Sequence, residues 1–311
     1  MNAVAVVRSA APSALTFRRL AFASAISLYV IVVSGATVRL TGSGLACESW
    51  PGCEAGSFFP EASHHSYVEF GNRFVSLFPI ALTLAVWIGS RRVVGLAPWV
   101  TWVAAATFLG TIGQAPLGLL TIRSGLHPLM VATHFLLALA VLAGGVVVAV
   151  EARRLEEGPG SWLAPRRVRT GALIVAAAAL VLVVTGTLAT AAGPHPGDTS
   201  QVHRLGSLYD AVQVHVRATA VFGIGLLLLV GLLFRRRREL PGTLAISLVL
   251  LGVVLVQMAV GETQWRTQLP WGLVLLHVSL AAAIWGLTVL LVYLLWRPAR
   301  GWAEDRSRLS G

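Results

Sequence analysis

Displaced along itself by 143 residues, the chain lays the polar residues of its apolar segments on one another: Gln114 falls on Gln257, Gly118 on Gly261, Arg123 on Arg266 and His134 on His277. The first three pairs lie in QAPLGLLTIR and QMAVGETQWR, and each histidine follows its arginine by eleven residues. Asn72 lands on His215, so 62 residues separate Asn72 from His134 and likewise His215 from His277. A doubling of this kind predicts a duplicated helical unit. Ligand-bearing positions at matching points of different helices are how a helix bundle brings two side chains to one metal or cofactor.

Hydrophobic residues make up 56% of the 311 residues and charged residues 12%, with a mean hydropathy of +0.77. That balance predicts an all-α polytopic membrane protein and argues against an ordinary soluble domain. A membrane-spanning helix needs about 20 mostly apolar residues. Eight such runs are present, at roughly 20–40, 68–90, 97–121, 128–150, 170–192, 210–233, 241–263 and 271–296. Four spans per unit leave both units in the same orientation, so the expected fold is two pseudo-twofold-related four-helix bundles, a parallel repeat about an axis along the membrane normal.

All 24 basic residues are arginine, and 18 of them fall in alternate connections. These are the N-terminus (Arg8, Arg18, Arg19), the 2–3 loop (Arg91, Arg92), the 4–5 loop (Arg153, Arg154, Arg166, Arg167, Arg169), the 6–7 loop (Arg235 to Arg238) and the C-terminus (Arg297, Arg300, Arg306, Arg308). By the positive-inside rule those segments are cytoplasmic, which puts both termini inside. The other six, Arg39, Arg73, Arg123, Arg204, Arg217 and Arg266, gather at the opposite ends of the spans. The net charge of +11 is thus a topology signal, and no soluble basic face is left for nucleic acid. The expected organisation is a cytoplasmic N-terminus (1–19), a first half (20–150), a charged, Gly- and Pro-containing linker (151–169), a second half (170–296) and a cytoplasmic tail (297–311).

The first apolar run, with Arg18 and Arg19 ahead of it and Ser34-Gly35-Ala36 near its end, looks like a signal peptide but is longer than the roughly 7–15 residues of a signal core. An uncleaved first span is expected. The long outer loop, about 41–67, holds both cysteines in CESWPGC, and on an oxidising face Cys47 and Cys53 are expected to pair. A structural staple and a redox role are both compatible with that pair. Nucleotide loops, nucleophile elbows and HExxH patterns are absent from the sequence.

His134, His215 and His277 lie one to two turns inside the outer ends of spans four, six and eight, with Asn72 at the equivalent depth in span two. Ligating or ionisable residues inside a span are expensive and mark function by default, although any one of these histidines alone is as readily an interhelical hydrogen bonder. His215 and His277 together make an imidazole pair at one depth, suited to axial ligation of a haem iron. Zinc suits it less, because Asp198, Asp210 and Glu262 sit in loops or at helix ends. Arg204, Arg217 and Arg266 lie where haem propionates meet water, or else snorkel to head groups. The first half differs: in EFGNR, Glu69 stands about one turn before Asn72 on the same face, with Arg73 or Arg123 as its partner. Ion-pairing that fixes the second span and participation in chemistry are both open to that acid. One half thus has two imidazoles, as in an electron-transfer centre, and the other has one histidine, an amide and an acid, as in a place where a guest reacts. His64 and His65 are read as outer-loop residues two turns before Asn72 that could approach the first-half pocket and stand in for the imidazole that Asn72 lacks, and His127, His195 and His203 as loop residues.

GATVRLTGSGLACESWPGC, EFGNR, VATHF, TGTLATAAGPHPGD, VQVH, QMAVG and LLHV, spread over nearly the whole chain, resemble the haem A synthase family. That resemblance implies oxidation of a methyl group of haem O to a formyl group by successive hydroxylation, supplying haem A to cytochrome oxidase. It implies haem b held in the second half by His215 and His277, with haem O bound in the first half. There His134 would be the ligand, Glu69 the catalytic acid and Asn72, Arg73 and Arg123 neighbours, while Cys47 and Cys53 match the family's outer-loop cysteines. Family members read Glu-x-x-His-Arg where this chain has Asn72, so a second imidazole to the substrate iron is missing. The resemblance further implies a bacterial plasma membrane, haem O synthase and the cytochrome oxidase assembly machinery as partners, and leaves homo-oligomers open. A membrane cytochrome b that only passes electrons, or a parallel-repeat transporter, are the rival readings.

Overall fold

The structure is a computed structural model that describes residues 11–61, 63–159, 163–198 and 203–297. Arg8, Arg300, Arg306 and Arg308, and with them parts of the expected terminal segments, lie outside the described residues. The helices are α1 (Ala14–Leu40), α2 (His64–Val75), α3 (Leu77–Ser90), α4 (Pro98–Arg123), α5 (Pro128–Glu157), α6 (Arg166–Ala192), α7 (Leu208–Arg235), α8 (Pro241–Arg266) and α9 (Trp271–Trp296). With α2 and α3 forming one span, eight segments are long and apolar enough to cross a membrane. Such a fold is what hydrocarbon demands, because only helices satisfy their own backbone there. This is a multi-pass membrane protein.

The sequence sets the helix starts. Ser13, Ser63 and Ser207 cap α1, α2 and α7, each hydroxyl accepting the backbone N–H three residues on, and prolines open α4, α5 and α8. Three boundaries differ from those expected, the first being that α1 begins at Ala14 rather than about 20, which takes Arg18 and Arg19 into the helix. The Ser63 cap starts the second span at His64, so His64 and His65 form the first turn of α2 rather than part of the outer loop. Polar residues hid that start from a search for apolar runs. At the other end of the first half, α5 continues past residue 150 to Glu157. There the ion pairs Arg154–Glu151 and Arg153–Glu157 support a helix that has left the apolar zone. The second span also breaks at Ser76 between α2 and α3, because Pro79 has no N–H to give the turn before it.

Within each half neighbouring helices pack in order and the first and last close the ring: α1, α3, α4 and α5 in one, α6, α7, α8 and α9 in the other. The halves meet through α9 against α1 and α5, and through α5 against α6. Trp285 Nε1 donates to the Leu139 carbonyl (2.8 Å) across that seam. Buried cores fill the arginine-rich end of each half, around Phe17, Val100 and Val148 in the first and Leu226, Leu250 and Leu291 in the second. Asn72, His134, His215 and His277 all lie toward the other ends of their helices.

The 143-residue shift reappears in the backbone. Gly125 and Leu126 turn from α4 into α5 with φ of 60° and 58°, and Gln268 and Leu269 turn from α8 into α9 with 63° and 60°. Leu126 N–H donates to the Thr121 carbonyl (2.9 Å) and Leu269 N–H to the Gln264 carbonyl (2.7 Å), the same helix closure twice. Left-handed backbone disfavours a side chain by about 1–2 kcal/mol. Gly125→Val is therefore expected to lower the melting temperature in detergent, whereas Gln268→Gly, which removes a strained side chain at the matching position, raises it.

Candidate functional site

One device aims the terminal histidine of each half. Gln114 Nε2 on α4 donates to the backbone carbonyl of His134 on α5 (3.4 Å), and Gln257 Nε2 on α8 donates to that of His277 on α9 (3.0 Å). Beside each amide a glycine lets the ring lie against the helix. A Cβ at Gly118 would stand 3.5 Å from His134 Cε1, and one at Gly261 would stand 3.1 Å from His277 Cε1. The residues that coincided in the sequence thus serve as one histidine mount, made twice.

In the second half His215, on α7, faces His277 with ring centroids 6.3 Å apart and planes at 71°. A ring centroid lies about 1.1 Å from each ring nitrogen and a metal–imidazole bond is about 2.0 Å long, so two imidazoles on opposite sides of one metal ion have centroids roughly 6.2 Å apart. The observed spacing fits. His215 Nδ1 lies 3.3 Å from Thr185 Oγ1, whose single proton is already given to the Val181 carbonyl (2.9 Å). With the hydroxyl proton on that carbonyl or on the Leu182 carbonyl (3.0 Å), Nδ1 is the nitrogen that donates to Oγ1, and the Nε2 lone pair is then left for a metal. Among the described residues no group of three or more His, Cys, Asp or Glu side chains gathers anywhere. Two facing imidazoles suit a group that brings its own equatorial ligands, as a porphyrin does.

The first half carries an amide in place of that second ring. Asn72 Oδ1 and His134 Nδ1 are both buried without a hydrogen-bond partner. Gly35, in the apolar part of α1, has open space where a Cβ would go, whereas Gly186 on α6 lies against the His215 ring, 2.9 Å from Cε1 to a Cβ built there. His64 and His65 are exposed on the first turn of α2, and His65 Nδ1 is engaged by Ser43 Oγ (2.9 Å). Two turns of helix separate them from Asn72.

Glu69 is 4% exposed. Its Oε1 takes the Arg73 guanidinium and its Oε2 accepts the Cys47 N–H (2.9 Å), so of the two partners offered by the sequence Arg73 is the one used. Arg73 also donates to the carbonyls of Ser49 (2.8 Å) and Gly52, and Cys47 and Cys53 are joined as a disulfide. The small ring they close is thereby pinned over the buried carboxylate. Sequence reasoning offered Glu69 an arginine partner but did not bring the cysteine ring to it; the loop's own backbone holds the acid.

Three of the expected arginines stand on the rim: Arg123 and Arg217 are exposed, and Arg266 pairs with Glu262 with side-chain exposures of 76% and 59%. Two others go inward. Arg39 Nη2 donates to the Thr190 carbonyl (2.7 Å) across the seam, and Arg204 buries an Nη2 that has no partner.

The family profile of COX15-CtaA, described as cytochrome oxidase assembly protein, matches residues 18–72 and 58–289. A heme A synthase of Methylobacterium sp. (strain 4-46) is 28% identical over 339 aligned positions, covering 91% of this chain and 92% of that protein. Another from Geobacillus kaustophilus is 24% identical, with 90% and 92% covered. That of Bacillus licheniformis is 34% identical over 119 residues, a stretch spanning 38% of this chain and 39% of the relative.

The glycines around the histidines make a stability test. Gly186→Ala drives a methyl into the His215 ring and is expected to cost about 1–3 kcal/mol. Gly118→Ala meets only ordinary contact and gains up to about 1 kcal/mol of helix propensity. Detergent melting should move in opposite directions for the two variants.

Proposed function

This chain belongs to the COX15-CtaA family of cytochrome oxidase assembly proteins, and from that premise we propose that it acts as a haem A synthase, oxidising a methyl group of haem O to a formyl group by successive hydroxylation. The observation that carries the reading is the His215–His277 pair, spaced for one metal between two rings. The second half (170–296) holds haem b on those two imidazoles, with Arg217 and Arg266 at its exposed rim for the propionates. When bound, the haem supplies one-electron redox chemistry.

The first half (20–150) receives haem O as substrate. His134 ligates its iron, while Asn72, Arg73 and Arg123 border the site. An amide is a poor iron ligand, so Asn72 would not supply the second imidazole that His215 offers in the other half. Glu69 serves as the acid–base group at the methyl group being oxidised. Each of its oxygens is already hydrogen-bonded but keeps a second lone pair, so the carboxylate accepts a proton from water or an intermediate without leaving Arg73 and the Cys47 amide. The Cys47–Cys53 ring has a positioning role: it holds the Glu69 oxygens in place and shields the acid from bulk water.

Both termini and the arginine-rich loops face the cytoplasm and the haem sites the outer side of a bacterial plasma membrane. Haem O synthase and the cytochrome oxidase assembly machinery are the membrane partners. A plain electron-transfer cytochrome would need neither the buried acid nor the unmatched amide of the first half. The transporter reading fits less well, since the ligating residues gather at one end of the bundle rather than at interrupted helices near its middle.

The purified protein should show a low-spin haem spectrum that His215→Ala and His277→Ala each abolish. With haem O supplied, pigment extraction should recover haem A from the native protein and none from Glu69→Gln, which keeps the hydrogen-bonding shape but not the base; persistence of turnover in that variant rules out the acid–base role. Asn72→His should add a second low-spin species once haem O is bound.

A further inference from the structure

Arg39 and Arg204 reach the same place from opposite halves. Arg39 lies in the last turn of α1, and its guanidinium crosses the seam to the Thr190 carbonyl on α6 (2.7 Å). Thr190 is four residues, about 6 Å of helix rise, beyond the Gly186 that backs the His215 ring. The segment before α7 is tied to the same helix end by Leu205 N–H donating to the Ala191 carbonyl (3.3 Å), which brings Arg204 alongside. Thr190 and Ala191 are adjacent, so the Arg39 guanidinium and the backbone beside Arg204 meet the same turn of α6. Arg204 keeps a buried Nη2 without a partner, and burial pulls its guanidinium below the ordinary arginine value.

The first half's loop is also locked over this point. Gly44 N–H donates to the Gly197 carbonyl (2.7 Å), and Gly197, at φ +106°, packs against the Arg39 stem. Two like charges held together and partly desolvated are unfavourable unless an anion answers them. Arginine's forked donors match a carboxylate.

We propose that Arg39 and Arg204 form a carboxylate clamp across the two halves, which grips an acidic substituent of the porphyrin seated between His215 and His277. The proposal rests on the reading of the second half as a haem site, and it adds a residue of the first half to that site. Arg217 and Arg266 then serve the water-exposed rim, while the inner carboxylate is shared between halves. A permanent haem held this way also pins the half that receives the substrate.

The test uses the full chain as purified with its haem, following haem transfer to apomyoglobin and the midpoint potential. Arg39→Gln and Arg204→Gln should each speed haem loss roughly tenfold or more, as expected for losing a charge-assisted hydrogen bond. Both should also shift the midpoint to more negative values, because removing a nearby cation favours the ferric state. Arg92→Gln, at the arginine-rich end, should change neither. Native haem release and native midpoint in both clamp variants overturn the proposal. So does an Arg39→Gln protein that melts lower but releases haem at the native rate, which makes Arg39 only a cap on α6. Should Arg39→Gln fail to accumulate, Arg39→Lys, which keeps the cation without the fork, replaces it with a smaller expected loss, and Arg204→Gln decides independently. A native protein with no low-spin haem instead defeats the reading of the second half, an outcome separable from failure of the clamp alone.

Discussion

A histidine that is to face a metal inside an apolar bundle has to be aimed, and rotation of its helix by a few tens of degrees would turn the ring into lipid. Here the aim is set by a glutamine on the preceding helix that donates to the histidine's own carbonyl, backed by a glycine against which the ring rests. In hydrocarbon such a bond has little competition from water, so it fixes helix rotation as well as helix distance. The identical closures at Leu126 and Leu269 set the next helix at the same height in both halves. The facing of His215 and His277 rests on these fixed points.

The packing divides along the membrane normal. Buried aliphatic cores and a knot around Glu151, which accepts from Tyr293 (2.6 Å), Arg297 (2.7 Å) and Arg154 (2.8 Å), consolidate the arginine-rich end and join the halves there. The histidine-bearing ends carry less buried core and more polar apparatus. A rigid base with a looser mouth is a sound physical plan for admitting a flat, bulky ligand between helices, since the mouth can adapt while the helix axes stay anchored.

The two halves have diverged at the positions that face the site. One keeps a second imidazole; the other has Asn72, with a buried carboxylate a turn away that is held by Arg73 and by the backbone of a disulfide-closed ring. The ring hangs from the same arginine that partners the acid, so loop and carboxylate are mechanically one unit. This division agrees with the proposed split between a resident porphyrin and a porphyrin that is processed.

Much of this was legible without coordinates, for a physical reason: spans are dictated by apolar length, and the polar residues inside them stand out because hydrocarbon penalises every unneeded one. The eight spans follow from that, as do the polar positions that a 143-residue shift superposes. What the chain could not reveal is contact made through loops. That His64 and His65 begin a helix depended on a serine cap, and that Glu69 is held by a loop amide depended on how the cysteine ring folds back. Six arginines at one end of the bundle looked alike in sequence, yet Arg217 and Arg266 stay at the rim while Arg39 and Arg204 turn inward. Hydropathy records how deep a residue lies but not which way its side chain points, and only the packing of one half against the other decided that direction.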